Sequence, residues 1–252
     1  MAQADMTSAD AAERRFQMLP DAQTVAAEAA AHLIARIAGN QTRPAICLTG
    51  GSGPKALYAL LGNSGYRSRI AWDRVHWFIG DERFVSADDP RNNMAAAREI
   101  FLDRCAPPDN IHPIPTDARD PDAAARLYER DLQAFYGARR LDAGRPLFDL
   151  VLMGLGPDGH TASLFPGDTA LTETERWVIG VDHAHVEPFV PRVTLTLPAL
   201  ACSREMLFLV SGEAKRDILS KVMAGADLPG TRARSNGVTT WLTDAAAAGR
   251  TA

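Results

Sequence analysis

The chain has 252 residues, of which 46% are hydrophobic and 23% charged, a balance that excludes intrinsic disorder and leaves room for a sizeable buried core. Its formal net charge of −4, with no block of Lys and Arg, excludes a surface that gathers nucleic acid or an anionic membrane by overall charge. Cys47, Cys105 and Cys202 are odd in number and form no CxxC pair, which argues against a disulfide framework or a zinc knuckle and for reduced thiols.

Residues 1–18 are mostly small and polar and predict a flexible N-terminal segment without an apolar signal core. With no membrane-length apolar run, a cytoplasmic location is expected. Asp21 is placed to cap a helix whose Val25, Ala29, Leu33 and Ile37 form an apolar stripe, ending near Gly39 and Asn40. Residues 45–49 read as a strand stopped by Gly50 and Gly51, and Pro54 suits the first turn of a helix running through Leu61. The same grammar repeats: strand 75–79 ends in Gly80-Asp81-Glu82-Arg83, and residues 92–102 have helical spacing. A helix over 120–136 leads to a buried strand at 148–153, then to the glycine turn 154–159 and a further short helix. Strands are predicted at 177–181, 193–197, 206–210 and 238–242, with a helix at 213–223.

Alternation of this kind predicts one α/β domain over residues 19–245, a mostly parallel, Rossmann-like sheet with helices on both faces. Ligands of such sheets bind outside the carboxyl ends of the strands, so the polar turns at 49–55, 80–83 and 154–161 are expected to converge on one site.

Thr49-Gly50-Gly51-Ser52-Gly53-Pro54-Lys55 offers backbone N–H groups without Cβ atoms and a nearby cation, which favours an anion cradle over a plain tight turn. Gly154 to Gly159 matches the dinucleotide fingerprint G-x-G-x-x-G, with Asp182 at about the spacing of a ribose contact. However, Pro157 restricts the turn, and Pro166-Gly167 leaves little length for a crossover helix. The same stretch has His160 where a phosphate-binding P-loop needs Lys, so a nucleotide triphosphatase does not fit. Asp158-Gly159-His160 sets an imidazole beside a carboxylate at a strand mouth, the arrangement of a general base near neutral pH. Asp81 and Arg83 fall on the same side. Arg192 and Lys215 are individually weak signals. Asp182, His183, His185 and Glu187 lack a further ligand at a recognisable spacing, and no metal is assigned to them. Ser52 and Ser163 lack the G-x-S-x-G elbow of a covalent serine mechanism.

Taken in order, TGGSGPKALY, WFIGDERFV with a following RNN, GLGPDGHTASLFPG, PRVTLTLPAL and SGEAKRDIL resemble the 6-phosphogluconolactonase family from about residue 20 to 242. The resemblance implies hydrolysis of 6-phospho-D-glucono-1,5-lactone to 6-phospho-D-gluconate, a step of the oxidative pentose phosphate pathway, by a metal-independent and cofactor-free enzyme. It implies His160 as the base that activates water, and Asp158 and Asp81 as groups orienting the histidine or the sugar. Some combination of Lys55, Arg83, Arg192 and Lys215 would hold the phosphate, and Thr49, Gly50, Gly51 and Ser52 would line the sugar. The expected partner is a small sugar-phosphate lactone, with neither nucleic acid nor membrane, in a monomer or weak homo-oligomer. The family is similar to glucosamine-6-phosphate isomerase (deaminase), whose pattern resembles DGHIAFNEPG. That pattern carries a carboxylate where this chain has Phe165, which favours the lactonase. A non-catalytic sugar-phosphate or dinucleotide binding module is the third alternative.

Overall fold

The computed structural model describes residues 13–250. Most of the segment expected to be flexible, residues 1–12, lies outside the described residues. Six strands form one wholly parallel sheet: β1 (Glu13–Leu19), β2 (Ala45–Leu48), β3 (His76–Ile79), β5 (Leu150–Met153), β8 (Glu205–Val210) and β9 (Val238–Asp244), in the order β1-β9-β8-β5-β2-β3. Every residue of β2, β5 and β8 is buried, which is why these segments, apart from Glu205 at the start of β8, read as unbroken apolar runs rather than alternating ones. A second sheet of three antiparallel strands stands beside it, in the order β4 (Asp81–Arg83), β7 (Arg192–Leu195), β6 (Val178–Val181).

Nine α-helical segments are found among the described residues: α1 (Ala22–Gly39), α2 (Lys55–Gly62), α3 (Ser64–Arg67), α4 (Asn93–Ala97), α5 (Asp103–Cys105), α6 (Pro121–Tyr136), α7 (Leu197–Ala201), α8 (Arg216–Met223) and α9 (Pro229–Arg232). Asp21 caps α1 as expected, its carboxylate accepting from the Thr24 N–H at 2.7 Å, and Val25, Ala29, Leu33 and Ile37 are buried. Asp120 caps α6 in the same way, with Pro121 in its first turn. A π-helical stretch, Arg98–Leu102, joins α4 to α5. α1 packs against β8, β9 and α2, and α6 packs against β6 and β7. One cluster of buried apolar side chains runs through both sheets. Among the described residues, no helix is long and apolar enough to cross a membrane.

Three expectations are corrected. Residues 13–18 are not a frayed end: they form most of β1, hydrogen-bonded in register to β9. An edge strand buries little side-chain surface, and Phe16 and Met18 are exposed, so ERRFQML lacks an inward-facing pattern. The second correction concerns 80–83. Asp81–Arg83 is a strand of the antiparallel sheet rather than a turn. Finally, the short helix expected after residue 159 does not begin there, and a 3₁₀ segment forms only at Thr169–Thr172. The Gly156 N–H donates to the His160 carbonyl, and Ala162 takes a left-handed φ of 49°, so the chain closes into successive tight turns instead.

Candidate active site

The carboxyl ends of β2, β5 and β8 open into a cavity of about 380 Å³, within the range of small-molecule sites. The three predicted segments meet there. Thr49 to Pro54 form one wall, Gly154 to Pro157 with His160 to Ser163 another, and Asp81 and Arg83 of β4 a third. Arg192 of β7 and Lys215, just before α8, also line it, as do Asn93, Phe165, Glu187 and Ser211. Lys55 and Asp158 do not line the cavity. The Lys55 side chain is exposed in the first turn of α2, whereas Asp158 stands behind the imidazole.

The His160 Nδ1 lies 2.5 Å from Asp158 Oδ1, and the same carboxylate oxygen accepts from the His160 backbone N–H at 3.0 Å. Burial pushes the Asp158 carboxyl up, but the hydrogen bonds from His160 outweigh it and hold the group below its ordinary range. An ionised Asp158 is an acceptor only, so the bond assigns the proton to Nδ1 and leaves Nε2 as the basic nitrogen. The ring is wedged against backbone: a Cβ on Gly156 would stand 2.0 Å from Nδ1, so only glycine admits the imidazole there. Phe165, itself buried, lies 5.0 Å from the imidazole, centroid to centroid.

Asp81 is buried and serves a different partner. Its Oδ2 accepts from Ser163 Oγ at 2.7 Å, and its backbone carbonyl accepts from Asn93 Nδ2 at 3.0 Å. Asn93 in turn packs on the glycine turn, where a Cβ on Gly50 would meet its Oδ1 at 2.0 Å. Asp81 therefore ties the 49–54 wall to the His160 loop. Among the described residues its carboxylate makes no hydrogen bond to the histidine. Glu82, fully buried, accepts from the N–H groups of Arg83, Asn93 and Met94 and so holds the start of α4. Burial pushes its carboxyl up to about 7 against those three donors.

Arg192 is 4% exposed, and its guanidinium donates to the carbonyls of Val190 and Pro188 at 3.1 and 2.7 Å. Burial lowers its pKa, partly countered by the charge of Asp81. A buried cation bonded to two neutral carbonyls is poorly compensated and favours an anion in the cavity beside it. Arg83 donates to the Arg91 carbonyl at 2.7 Å, and Lys215 Nζ to the Leu155 carbonyl at 2.6 Å, with burial lowering the Lys215 pKa. The N–H groups of Gly50, Gly51 and Ser52 donate to no protein acceptor among the described residues.

A model of the family described as Glucosamine-6-phosphate isomerases/6-phosphogluconolactonase matches residues 20–241. The chain belongs to this family. A 6-phosphogluconolactonase of Streptomyces coelicolor is 38% identical over 239 residues, covering 90% of this chain and 91% of that one. One of Synechocystis is 44% identical over 181 residues, 71% of each chain. The crystal structure of a 6-phosphogluconolactonase from Thermotoga maritima superposes with a TM-score of 0.79 at 28% identity, covering 92% of this chain and all of that one. Set in this family, the GPDGHTASLFPG segment is the loop that presents His160. Asn93 and Ser163, which residue-type reasoning did not single out as site residues, bridge its walls. The RNN that follows β4 was the signal for Asn93. A serine without a G-x-S-x-G elbow carries no local signal for the hydrogen bond that Ser163 donates to Asp81.

Proposed function

We propose that the chain hydrolyses 6-phospho-D-glucono-1,5-lactone to 6-phospho-D-gluconate, the step by which the lactone enters the rest of the oxidative pentose phosphate pathway. The observation that carries this reading is the His160–Asp158 pair beside a cavity that also holds Arg83, Arg192 and Lys215. Nε2 of His160 takes a proton from water as the oxygen attacks the lactone carbonyl, forming a C–O bond and a tetrahedral oxyanion. Collapse of that intermediate breaks the ring C–O bond, and the imidazolium returns its proton to the departing ring oxygen. A lactone is an activated ester, so one base and an oxyanion contact are sufficient and no metal is invoked. The base contributes about 10²–10⁴-fold.

Arg192, Arg83 and Lys215 bind the phosphate. Thr49, Gly50, Gly51 and Ser52 line the sugar, their N–H groups meeting its oxygens or the developing oxyanion, each such donor being worth about 3 kcal/mol. Asp158 is a positioning residue for the histidine, and Asp81 positions the walls around it. The absence of a carboxylate at Phe165 supports lactone hydrolysis over deamination.

The test is opening of the 6-phospholactone by purified protein, with His160→Ala as the comparison. The variant is expected to lose about 100-fold or more of the rate while its circular dichroism stays as in the parent. A rate unaffected by the substitution removes His160 from the reaction, and release of ammonia from glucosamine 6-phosphate without lactone opening replaces the reading with a deaminase.

A further inference from the structure

The same three strands whose carboxyl ends carry the catalytic loops bring three arginines together at their amino ends. Arg43 lies just before β2, Arg145 lies five residues before β5, and Arg204 immediately precedes β8. In the sheet these strands are neighbours, so the arginines line one pocket of about 210 Å³. At roughly 3.3 Å per residue, strands of this length place the pocket on the far side of the sheet from His160.

Each guanidinium is held in place. Arg43 rests over the Phe135 ring at 3.9 Å and donates to the Phe135 carbonyl. Arg145 rests over Tyr136 at 3.8 Å and donates to the Tyr136 carbonyl at 2.8 Å. Arg204 donates to Asp149 at 3.0 Å. The bland reading is that the first two only cap the last carbonyls of α6. That task uses one donor of each, whereas a guanidinium carries five. Asp149, the one carboxylate lining the pocket, already accepts from the Asn40 side chain and the Ala45 N–H as well as from Arg204. Arg204 thus pairs with the one lining carboxylate, and Arg43 and Arg145 have no acidic partner among the described residues, in a chain whose overall charge is −4 and does not itself attract anions. Stacking on aromatic rings pre-orders the guanidinium planes, the arrangement suited to bidentate recognition of a phosphate.

We propose that this pocket is a second anion site, separate from the catalytic cavity, taking a compact phosphate: the free ion or the head of a small phosphomonoester. The volume, below the roughly 300–1,000 Å³ of drug-sized sites, sets aside a nucleotide. This proposal does not depend on the lactonase reading.

The test is a nitrogen-15 amide titration of the full chain with inorganic phosphate and, separately, with methyl phosphate at constant ionic strength. Expected is a saturable shift of the amides of residues 40–45 and 147–149 with a Kd of about 1 mM or tighter for at least one probe, the tighter probe identifying free ion or ester. Arg145→Gln and Arg204→Gln are each expected to weaken that binding by about tenfold or more, leaving any response at residues 49–54 and 156–163 and the phosphate-free rate of lactone opening as in the parent. Because Arg145 also caps α6, Arg204→Gln carries the test if the first variant loosens the fold. Shifts confined to the catalytic cavity, a non-saturating drift at residues 40–45, or undiminished affinity in Arg204→Gln would overturn the proposal.

Discussion

Gly156→Ala isolates the positioning of the base from every other part of the site. Gly156 is not among the residues with positive φ, so the backbone accepts alanine without strain. The new Cβ, however, would stand 2.0 Å from His160 Nδ1 and 2.1 Å from Cε1, distances no relaxed contact allows. The imidazole must leave Asp158, forfeiting a charge-assisted hydrogen bond of about 1.5–3 kcal/mol and, with it, the tautomer that leaves Nε2 basic. Since a placed base supplies about 10²–10⁴-fold, kcat is expected to fall by about 100-fold or more, with KM for the 6-phospholactone little changed and cooperative thermal unfolding retained. Steady-state hydrolysis by His160→Ala and by the double variant Gly156→Ala/His160→Ala closes the cycle: if the methyl acts only by displacing the ring, the double variant is no slower than His160→Ala alone. A single variant within about threefold of the parent (under 1 kcal/mol), or an equal further loss on the His160→Ala background, would refute the reasoning.

The remaining predictions concern the cations and the far end of β3. Lys55→Ala is expected to leave kcat/KM within about twofold, because its ammonium is exposed outside the cavity. Arg192→Ala is expected to lower kcat/KM by about 100-fold or more, having removed a buried cation that makes charge-assisted bonds; comparable losses in steady-state kinetics would count against this division of roles. His76, partly buried and 2.9 Å from His112, has its pKa lowered to about 4 by burial and by its neighbour. Between about pH 6.5 and 4 the unfolded chain binds the proton more readily. The stability contributed by neutral His76 is therefore complete above that window and lost as pH falls through it. Denaturant unfolding across this range should show a flatter acid limb in His76→Asn, and an unchanged limb would assign the effect elsewhere.

The parts of the molecule legible in the sequence are those whose physics is local. Asp21 before an apolar stripe is a helix start that needs nothing from the rest of the chain and caps as read; Asp120, at the start of the helix expected over 120–136, caps in the same way. The buried strands β2, β5 and, from residue 206 on, β8 declare themselves by unbroken apolar runs because both faces are covered. What was not legible depends on partners distant in the chain. β1 is a strand because β9 supplies its ladder, and its exposed side chains carry little pattern. Lys55 and Arg192 both read as candidate cations; only the fold decides that the first points to solvent and the second is buried against the cavity. Glu82 and Asp81 are adjacent in one acidic motif, yet strand alternation sends one to the start of α4 and the other to Ser163.

Phe165 shows how a single apolar side chain divides the chemistry available to this fold. Its ring is 1% exposed and packs with Val181, Ala184 and Val186 in a small cluster apart from the main core. A carboxylate at this position, as in the isomerase-like pattern, would have to be buried in that apolar setting at a cost of several kcal/mol unless it took His160 as its partner. In that event the imidazole would have two carboxylates competing for its protons, and the nitrogen required to deprotonate water would be engaged. With phenylalanine in place, the carboxylate bonded to His160 among the described residues is that of Asp158, on Nδ1. On the proposed mechanism, the aromatic side chain, which itself lines the cavity, serves hydrolysis by keeping a carboxylate off position 165 and away from the base, a role that requires bulk and low polarity.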